Sequence, residues 1–273
     1  MPITALAYPE PKPGDIVGHY LLIKELGRGG MGIIFSARPS QAYSTEPVAL
    51  KWFRPDRVSA ETVRAIGNRL TQIHHPALVQ TIKVDQHGKY LVMEQITGEA
   101  LGPLLKRCGR LARNEFEILT RQLCDGLTAL HKAKLLHRDV RPANMIATSR
   151  GWVLVDLGIP YSSLSASDKA ANLAQRGPRS YMAPEVLKGQ SSLIASDIYS
   201  ASITLYHALV GRRPNRDRFG NHLGRPKFEK GLSSSLLDVF YQGASAHPKN
   251  RFSTVVELKL SILNCSIQHF NRS

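Results

Sequence analysis

Residues 137–144 read His137-Arg138-Asp139-Val140-Arg141-Pro142-Ala143-Asn144. They follow a long apolar stripe of helical spacing formed by Phe116, Leu119, Leu123, Leu127 and Leu130. A lone Asp or Asn in a loop is ordinarily a turn residue, so the reading of this stretch rests on its surroundings. Twelve residues after Asn144 stands Asp156-Leu157-Gly158, preceded by the strand-like run Trp152–Val155. Ala183-Pro184-Glu185 comes later. Asp197 then opens a helical segment, and Arg251 lies within His247-Pro248-Lys249-Asn250-Arg251-Phe252.

Upstream, Gly27-Arg28-Gly29-Gly30-Met31-Gly32 fits G-x-G-x-x-G. In a dinucleotide fold such glycines must open a helix. Here Gly32 leads into Ile33-Ile34-Phe35, a β-type run, so the loop joins two strands. That makes a hairpin whose backbone N–H groups can close over phosphates. Next, Val48-Ala49-Leu50-Lys51 sets a lysine on an otherwise apolar strand, where burial without an anionic partner is costly.

Short β-type runs dominate the first part: Tyr20–Gly27, Ile33–Ala37, Val48–Phe53, Leu78–Val84 and Tyr90–Glu94. One helix is predicted over about Ser59–Ile73, with Val63, Ile66, Leu70 and Ile73 on its apolar face. From Leu101 onward helical spacing takes over. Ile198, Ile203, Leu205 and Leu209 mark one buried segment, Leu236, Leu237 and Phe240 another, and Val255, Leu258 and Leu260 a third. The expected class is α+β, a small β-rich lobe with one helix (about 18–94) followed by a larger helical lobe (about 97–268). Residues 1–17 read as a tail, extended by Pro2, Pro9, Pro11 and Pro13.

The chain has 273 residues, enough to bury a core without disulfides or metal. Its 42% hydrophobic and 21% charged content excludes a disordered chain. Cys108, Cys124 and Cys265 are odd in number and lack paired metal-ligand spacing; they read as reduced thiols of a cytoplasmic protein. No apolar run reaches the ~18 residues of a membrane span, and the N-terminus lacks the pattern of a signal peptide.

The ordered set from the glycine hairpin to Arg251 resembles the eukaryotic-type protein kinases. Gly29-Gly30-Met31-Gly32 and Tyr181-Met182-Ala183-Pro184-Glu185 look most like the bacterial Hanks-type serine/threonine kinases. The resemblance covers about His19 to Ile267 and implies the two-lobed protein kinase fold, a phosphotransferase activity, ATP, and magnesium or manganese. It also implies roles. Leu26, Gly27, Gly29 and Gly32 would cover the nucleotide; Ile34 and Ala49 would sandwich the adenine against Ile146; Met93, Glu94 and Ile96 would line the hinge. Lys51 would hold the α- and β-phosphates. Asp139 would accept the proton of the acceptor hydroxyl, beside Arg141, while Asn144 and Asp156 would hold the metal. Pro142 favours Ser/Thr acceptors over tyrosine. Glu185–Arg251 would be a structural ion pair, and Asp197 would brace the catalytic loop.

The sequence departs from that pattern at four places. The helix position that should carry a glutamate for Lys51, nine residues before His75, is Ile66; Glu61, one turn or more earlier, is the only acid on that helix. Leu70 fits the following apolar position. Gly177-Pro178 replaces the usual Gly-Thr, Leu157 replaces phenylalanine, and the stretch Pro214–Leu232 is short and basic (Arg216, Arg218, Arg225, Lys227, Lys230).

The expected function is ATP-dependent phosphorylation of Ser/Thr hydroxyls in proteins, including transient self-association for autophosphorylation. The alternative is a nucleotide-binding pseudokinase serving as a scaffold, motivated by Ile66 and Pro178. A small-molecule kinase is opposed by Ala183-Pro184-Glu185. Ser162, Ser163, Ser165, Ser167 and Ser180 lie between Asp156 and Glu185 and are expected to be regulatory phosphorylation sites, with Arg138 as cationic partner. The net charge of +15 fits a solvated basic surface or an acidic partner: an acidic protein substrate, nucleic acid or an anionic membrane surface. Arg212, Arg213, Arg216 and Arg218 form the candidate patch, with no motif for single-stranded nucleic acid beside it.

Overall fold

The computed structural model describes residues 9–40, 46–159, 179–214 and 232–270, with side chains to residue 265. Their contacts form two compact units. The first holds the chain up to Gln72, then Gln80–Gln95 and Ile159. The second holds Ile73–Val79, Ile96–Gly158 and the described residues from 179 onward.

The first unit is a six-stranded antiparallel sheet, β1 (Ile16–Val17), β2 (Tyr20–Gly29), β3 (Gly32–Pro39), β4 (Val48–Phe53), β5 (Thr81–Val84) and β6 (Tyr90–Glu94), in the order β1-β2-β3-β4-β6-β5. Side chains alternate between faces along a strand. One face gathers Leu22, Ile33, Phe35, Ala37, Leu50, Trp52, Tyr90 and Val92 into a core. The other presents Phe53 and Leu91, which pack with Val58, Val63 and Ile159. Helix α1 (Ala60–Leu70) covers this second face. Ser59 caps it, its hydroxyl accepting from the Thr62 N–H at 3.2 Å, and Glu61 sits in the first turn where a negative charge is favoured.

The helix stops at Leu70, short of the expected Ile73. Pro76 lies ahead, and the residue before a proline is driven to extended backbone. The buried face is Val63, Gly67 and Leu70. A Cβ on Gly67 would come within 2.7 Å of Leu91 Cδ2 and 2.8 Å of Val84 Cγ2, so the glycine lets the helix lie close on β5 and β6. Ile66 is half-buried against the Phe53–Val63–Leu91 cluster.

The second unit carries a small sheet, β7 (Glu99–Ala100), β8 (Met145–Thr148) and β9 (Gly151–Leu154), and the helices α2 (Leu101–Cys108), α3 (Arg113–Lys132), α4 (Pro184–Leu187), α5 (Ile194–Val210), α6 (Ser234–Gly243) and α7 (Val255–Phe270). α3 packs on β9, α5 and α7, and its expected stripe from Phe116 to Leu130 is fully buried. α5 is buried nearly all round, from Ser196 to Tyr206, as its continuous apolar run suggests. Among the described residues no helix is long and apolar enough to cross a membrane.

Three expectations are corrected. The run Leu78–Val84 is a strand only from Thr81. Its start is turned to the other unit: Val79 N–H donates to the Leu154 carbonyl at 3.0 Å, and Leu154 N–H to Ala77 at 2.8 Å. On α7 Leu260 is 52% exposed, and the buried residues are Val255, Leu258, Ile262 and Leu263. Leu209, in the last turn of α5, is only half-buried.

Candidate functional site

The loop from His137 to Asn144 leaves α3 through a turn and enters β8 through a short 3-10 turn, Pro142–Asn144. It is pinned by Asp197, in the first turn of α5 and 1% exposed. Asp197 Oδ2 accepts the His137 N–H at 2.8 Å and lies 2.9 Å from His131 Nε2; Oδ1 accepts the Arg138 N–H at 2.8 Å. These bonds hold Arg138 at φ +68°, a conformation a non-glycine residue adopts only under constraint. His137 itself is buried, its Nε2 3.0 Å from the Val155 carbonyl.

With the backbone fixed, three side chains converge. Asp139 Oδ2 accepts from Arg141 Nε at 3.0 Å and from Asn144 Nδ2 at 2.9 Å. Asn144 Nδ2 also donates to the Asp139 carbonyl at 2.7 Å. Burial raises the Asp139 carboxyl above the ordinary aspartate range. Arg141 opposes that, Asp156 adds to it, and His137 and Asn144 oppose it in turn. A raised carboxyl is the better proton acceptor near neutral pH.

Asp156 follows β9 at φ +63°. Gly158, two residues on, passes so close to the loop that a Cβ would lie 2.2 Å from the His137 carbonyl oxygen and 2.4 Å from that of Leu136. Arg138 Nη1 donates to the Gly158 carbonyl at 3.0 Å, closing the two segments on each other. The oxygens suit magnesium. Both hydrogens of the Asn144 amide are taken by Asp139, so its oxygen is the atom that could bind a cation, and Asp156 could add a carboxylate. Magnesium is typically held by one or two such groups together with substrate phosphates.

In the first unit, Gly27, Gly29 and Gly32 lie at the β2–β3 hairpin, with Gly29 opposite Gly32. Leu26 is 45% exposed beside them. Ile34 pairs with Lys51 and Ala49 with Met93; Ala49 and Met93 are buried. Lys51 is 6% exposed, and its ammonium sits 5.3 Å from the centre of the Phe53 ring, which shares its strand face two residues on. Glu94 N–H donates to the Gln80 carbonyl at 3.0 Å, and its carboxylate accepts the Gln80 N–H at 2.8 Å. Ile96 and Ile146 belong to the second unit, both half-buried, Ile146 in β8 opposite Ala100 and Val153.

Glu185 and Arg251 form the expected pair, buried and bidentate, with both N–O distances 2.7 Å; Ser196 Oγ donates to the same carboxylate at 2.7 Å. Burial pushes the Glu185 carboxyl up, but the bonds from Arg251 and Ser196 bring it below its ordinary value. Sequence reasoning missed His131 under Asp197, Phe53 under Lys51, the Tyr181 hydroxyl on His207 Nδ1 at 2.7 Å, and the bond from Arg213 to the Ser180 hydroxyl. Partners up to 66 positions apart leave no local signal. Gly177, Pro178, Ser162, Ser163, Ser165, Ser167, Arg216, Arg218, Arg225, Lys227 and Lys230 lie outside the described residues.

A loop that aims a carboxylate, a guanidinium and an amide oxygen, in a chain with a glycine hairpin and a strand lysine, defines a phosphotransfer domain. The family described as the protein kinase domain matches residues 20–267, and the chain belongs to it. It is of the bacterial Hanks type: it is 31% identical over 215 residues to the serine/threonine-protein kinase PknA of Mycobacterium tuberculosis (75% of this chain, 50% of that protein). It is also 31% identical over 286 residues to PknD of the same organism (95% of this chain, 42% of that protein). The chain thus spans about half the length of the curated relatives it matches. The fold is shared with the M. tuberculosis PknI kinase domain (TM-score 0.69, 22% identity, 94% of this chain and 99% of that one). It is shared as well with Rad53 1–466, solved in complex with AMP-PNP (TM-score 0.70, 21% identity, 89% and 65%).

Proposed function

We propose that this chain transfers the γ-phosphate of ATP to Ser/Thr hydroxyls of proteins, itself among them through transient self-association. The observation that carries the reading is the Asp139 carboxylate, held by Arg141 and Asn144 in a loop pinned from beneath by Asp197. The acceptor oxygen bonds to the γ-phosphorus, the bond to the bridging oxygen of ADP breaks, and the hydroxyl proton passes to Asp139. Arg141 balances charge spread over the transferring group's three oxygens. Lys51 orients the α- and β-phosphates. Magnesium or manganese, held by Asn144 and Asp156, supplies charge neutralisation when bound.

The acceptor class is acidic protein segments. Arg212 and Arg213 are both exposed, and Arg213 donates to the Ser180 hydroxyl just before Tyr181. This exposed arginine pair, in a chain of net charge +15, favours carboxylates in the incoming chain.

The test is transfer from labelled ATP with magnesium or manganese, to the chain itself and to one acidic and one basic acceptor protein, with Asp139→Asn and Lys51→Met alongside. Incorporation that both substitutions abolish supports the reading. No incorporation, with ATP still raising the melting temperature, would leave a nucleotide-binding module without transfer. Preference for the basic acceptor would refute the acidic class alone.

A further inference from the structure

The segment before β1 is docked at the glycine hairpin. The Gly14 N–H donates to the Leu22 carbonyl at 2.8 Å and the Leu22 N–H to that of Asp15 at 2.9 Å. The Lys12 N–H donates to the Asp15 carboxylate at 2.7 Å and the Asp15 N–H to the Lys12 carbonyl at 3.0 Å, closing a turn. Pro9 and Pro11 stiffen what precedes it, and Pro13 stiffens the turn itself. This anchoring delivers Glu10 to two arginines. Its Oε2 meets Arg28 Nη1 at 2.5 Å and its Oε1 meets Arg54 Nε at 2.6 Å.

Arg28 belongs to the hairpin and Arg54 bonds to it. Arg28 stands between its first two glycines and is held from the other side by Glu25, through Nε at 3.1 Å and Nη2 at 2.7 Å. Arg54, just past β4, donates from Nη1 to the carbonyls of Gly29 and Gly30, and its own N–H donates to the Met31 carbonyl at 2.9 Å. Three consecutive carbonyls at the tip therefore face Arg54. In a trans peptide the N–H points opposite to the C=O, so the Gly30 and Met31 N–H groups face the other side of the turn. Glu10 stays ionised: Arg28 first, then Arg54, holds its carboxyl below the ordinary range. Glu10 precedes the residues 20–267 that match the family.

We infer that Glu10 is a positioning residue for nucleotide phosphates: through Arg28 and Arg54 it fixes the hairpin tip with its N–H groups turned to the ligand. The inference rests on the nucleotide reading above. A tip of three glycines and a methionine has many conformations to lose on binding. Fixing it beforehand lowers that cost and leaves contacts to the base untouched.

The experiment compares the parent chain with Glu10→Gln, which keeps the shape and removes the charge. Titration calorimetry is run with ATP and with adenosine, and the rate of tryptic cleavage after Arg28 is followed. We expect ATP affinity to fall about threefold, the scale of a coupled exposed charge pair, adenosine affinity to stay unchanged, and cleavage to accelerate. Unchanged ATP affinity, tighter ATP binding, or equal losses for ATP and adenosine would overturn the role of Glu10 while the parent's ATP binding stands. A parent chain that binds no ATP would overturn the nucleotide reading itself and this role with it. The cleavage rate then tells whether the strap holds the hairpin at all.

Discussion

Replacing Asp197 by asparagine tests the bracing of the catalytic loop most directly. The carboxylate is 1% exposed and serves three donors: the His137 N–H and His131 on Oδ2, and the Arg138 N–H on Oδ1. An asparagine offers one acceptor oxygen and one NH2 group. Its least damaging orientation keeps the oxygen at Oδ2 and turns the NH2 to Arg138, so one buried N–H faces another donor. A charge-assisted bond is lost and a buried donor is left unsatisfied, a cost of roughly 2–4 kcal/mol. The released N–H is the one holding Arg138 at φ +68°. Relaxation there moves Asp139, and a shift of about 1 Å at a reacting group costs on the order of a hundredfold in rate. Urea unfolding followed by circular dichroism, with phosphate transfer on the same preparation, measures both effects. A variant within ~0.5 kcal/mol of the parent and of undiminished rate would refute the bracing argument.

Arg251→Met should destabilise by about 3–5 kcal/mol, because it leaves Glu185 charged, buried and unpaired. Glu185 also sets a pH dependence. Its folded-state carboxyl is lowered, so its contribution is complete above the unfolded value of 4.5 and is lost as pH falls through the lowered one. The urea midpoint of the parent should drop there, and a midpoint that is flat with pH would count against the pair. Arg141→Met removes the main influence lowering the Asp139 carboxyl, so the acid limb of the kcat profile should move to higher pH; an unmoved limb would exclude Asp139 as the titrating group. Phe53→Leu keeps apolar bulk and removes the ring facing the Lys51 ammonium. A desolvated cation–π contact is worth up to ~2 kcal/mol, so the KM for ATP should rise about tenfold, and an unchanged KM would show that the ring does not orient the lysine.

The parts legible in the sequence are those whose signals are local. His137 to Asn144 supply the carboxylate proposed to react and the two side chains that hold it within eight consecutive residues. Val48–Phe53 and Tyr90–Glu94 are strands to the residue, because alternation and β-type side chains agree there. The errors lie where a distant partner decides. Ala77 to Val79 have strand-like side chains, yet their backbone groups bond Leu154, far along the chain and in the other unit from β5. Leu260 has the right chemistry for the core, but local sequence does not say which of several apolar residues on α7 faces α3 and α6. His131 could not be singled out from a helix already accounted for by its leucines.

The missing glutamate on α1 shows how sequence and packing trade against each other. A side chain at position 66 is half-buried beside Phe53, Val63, Leu91 and Ile159, an apolar setting that a carboxylate would enter at a desolvation cost. Isoleucine instead extends that cluster and adds contact area between the helix and the sheet. The lysine's surroundings change with it: the same apolar cluster that accepts Ile66 contributes the Phe53 ring, whose face attracts a cation. The ring and the lysine stand on one face of β4, so the strand sets the spacing of their backbones. The ring itself packs against Val63 and Ile66 of α1, so the helix bears on the lysine through Phe53.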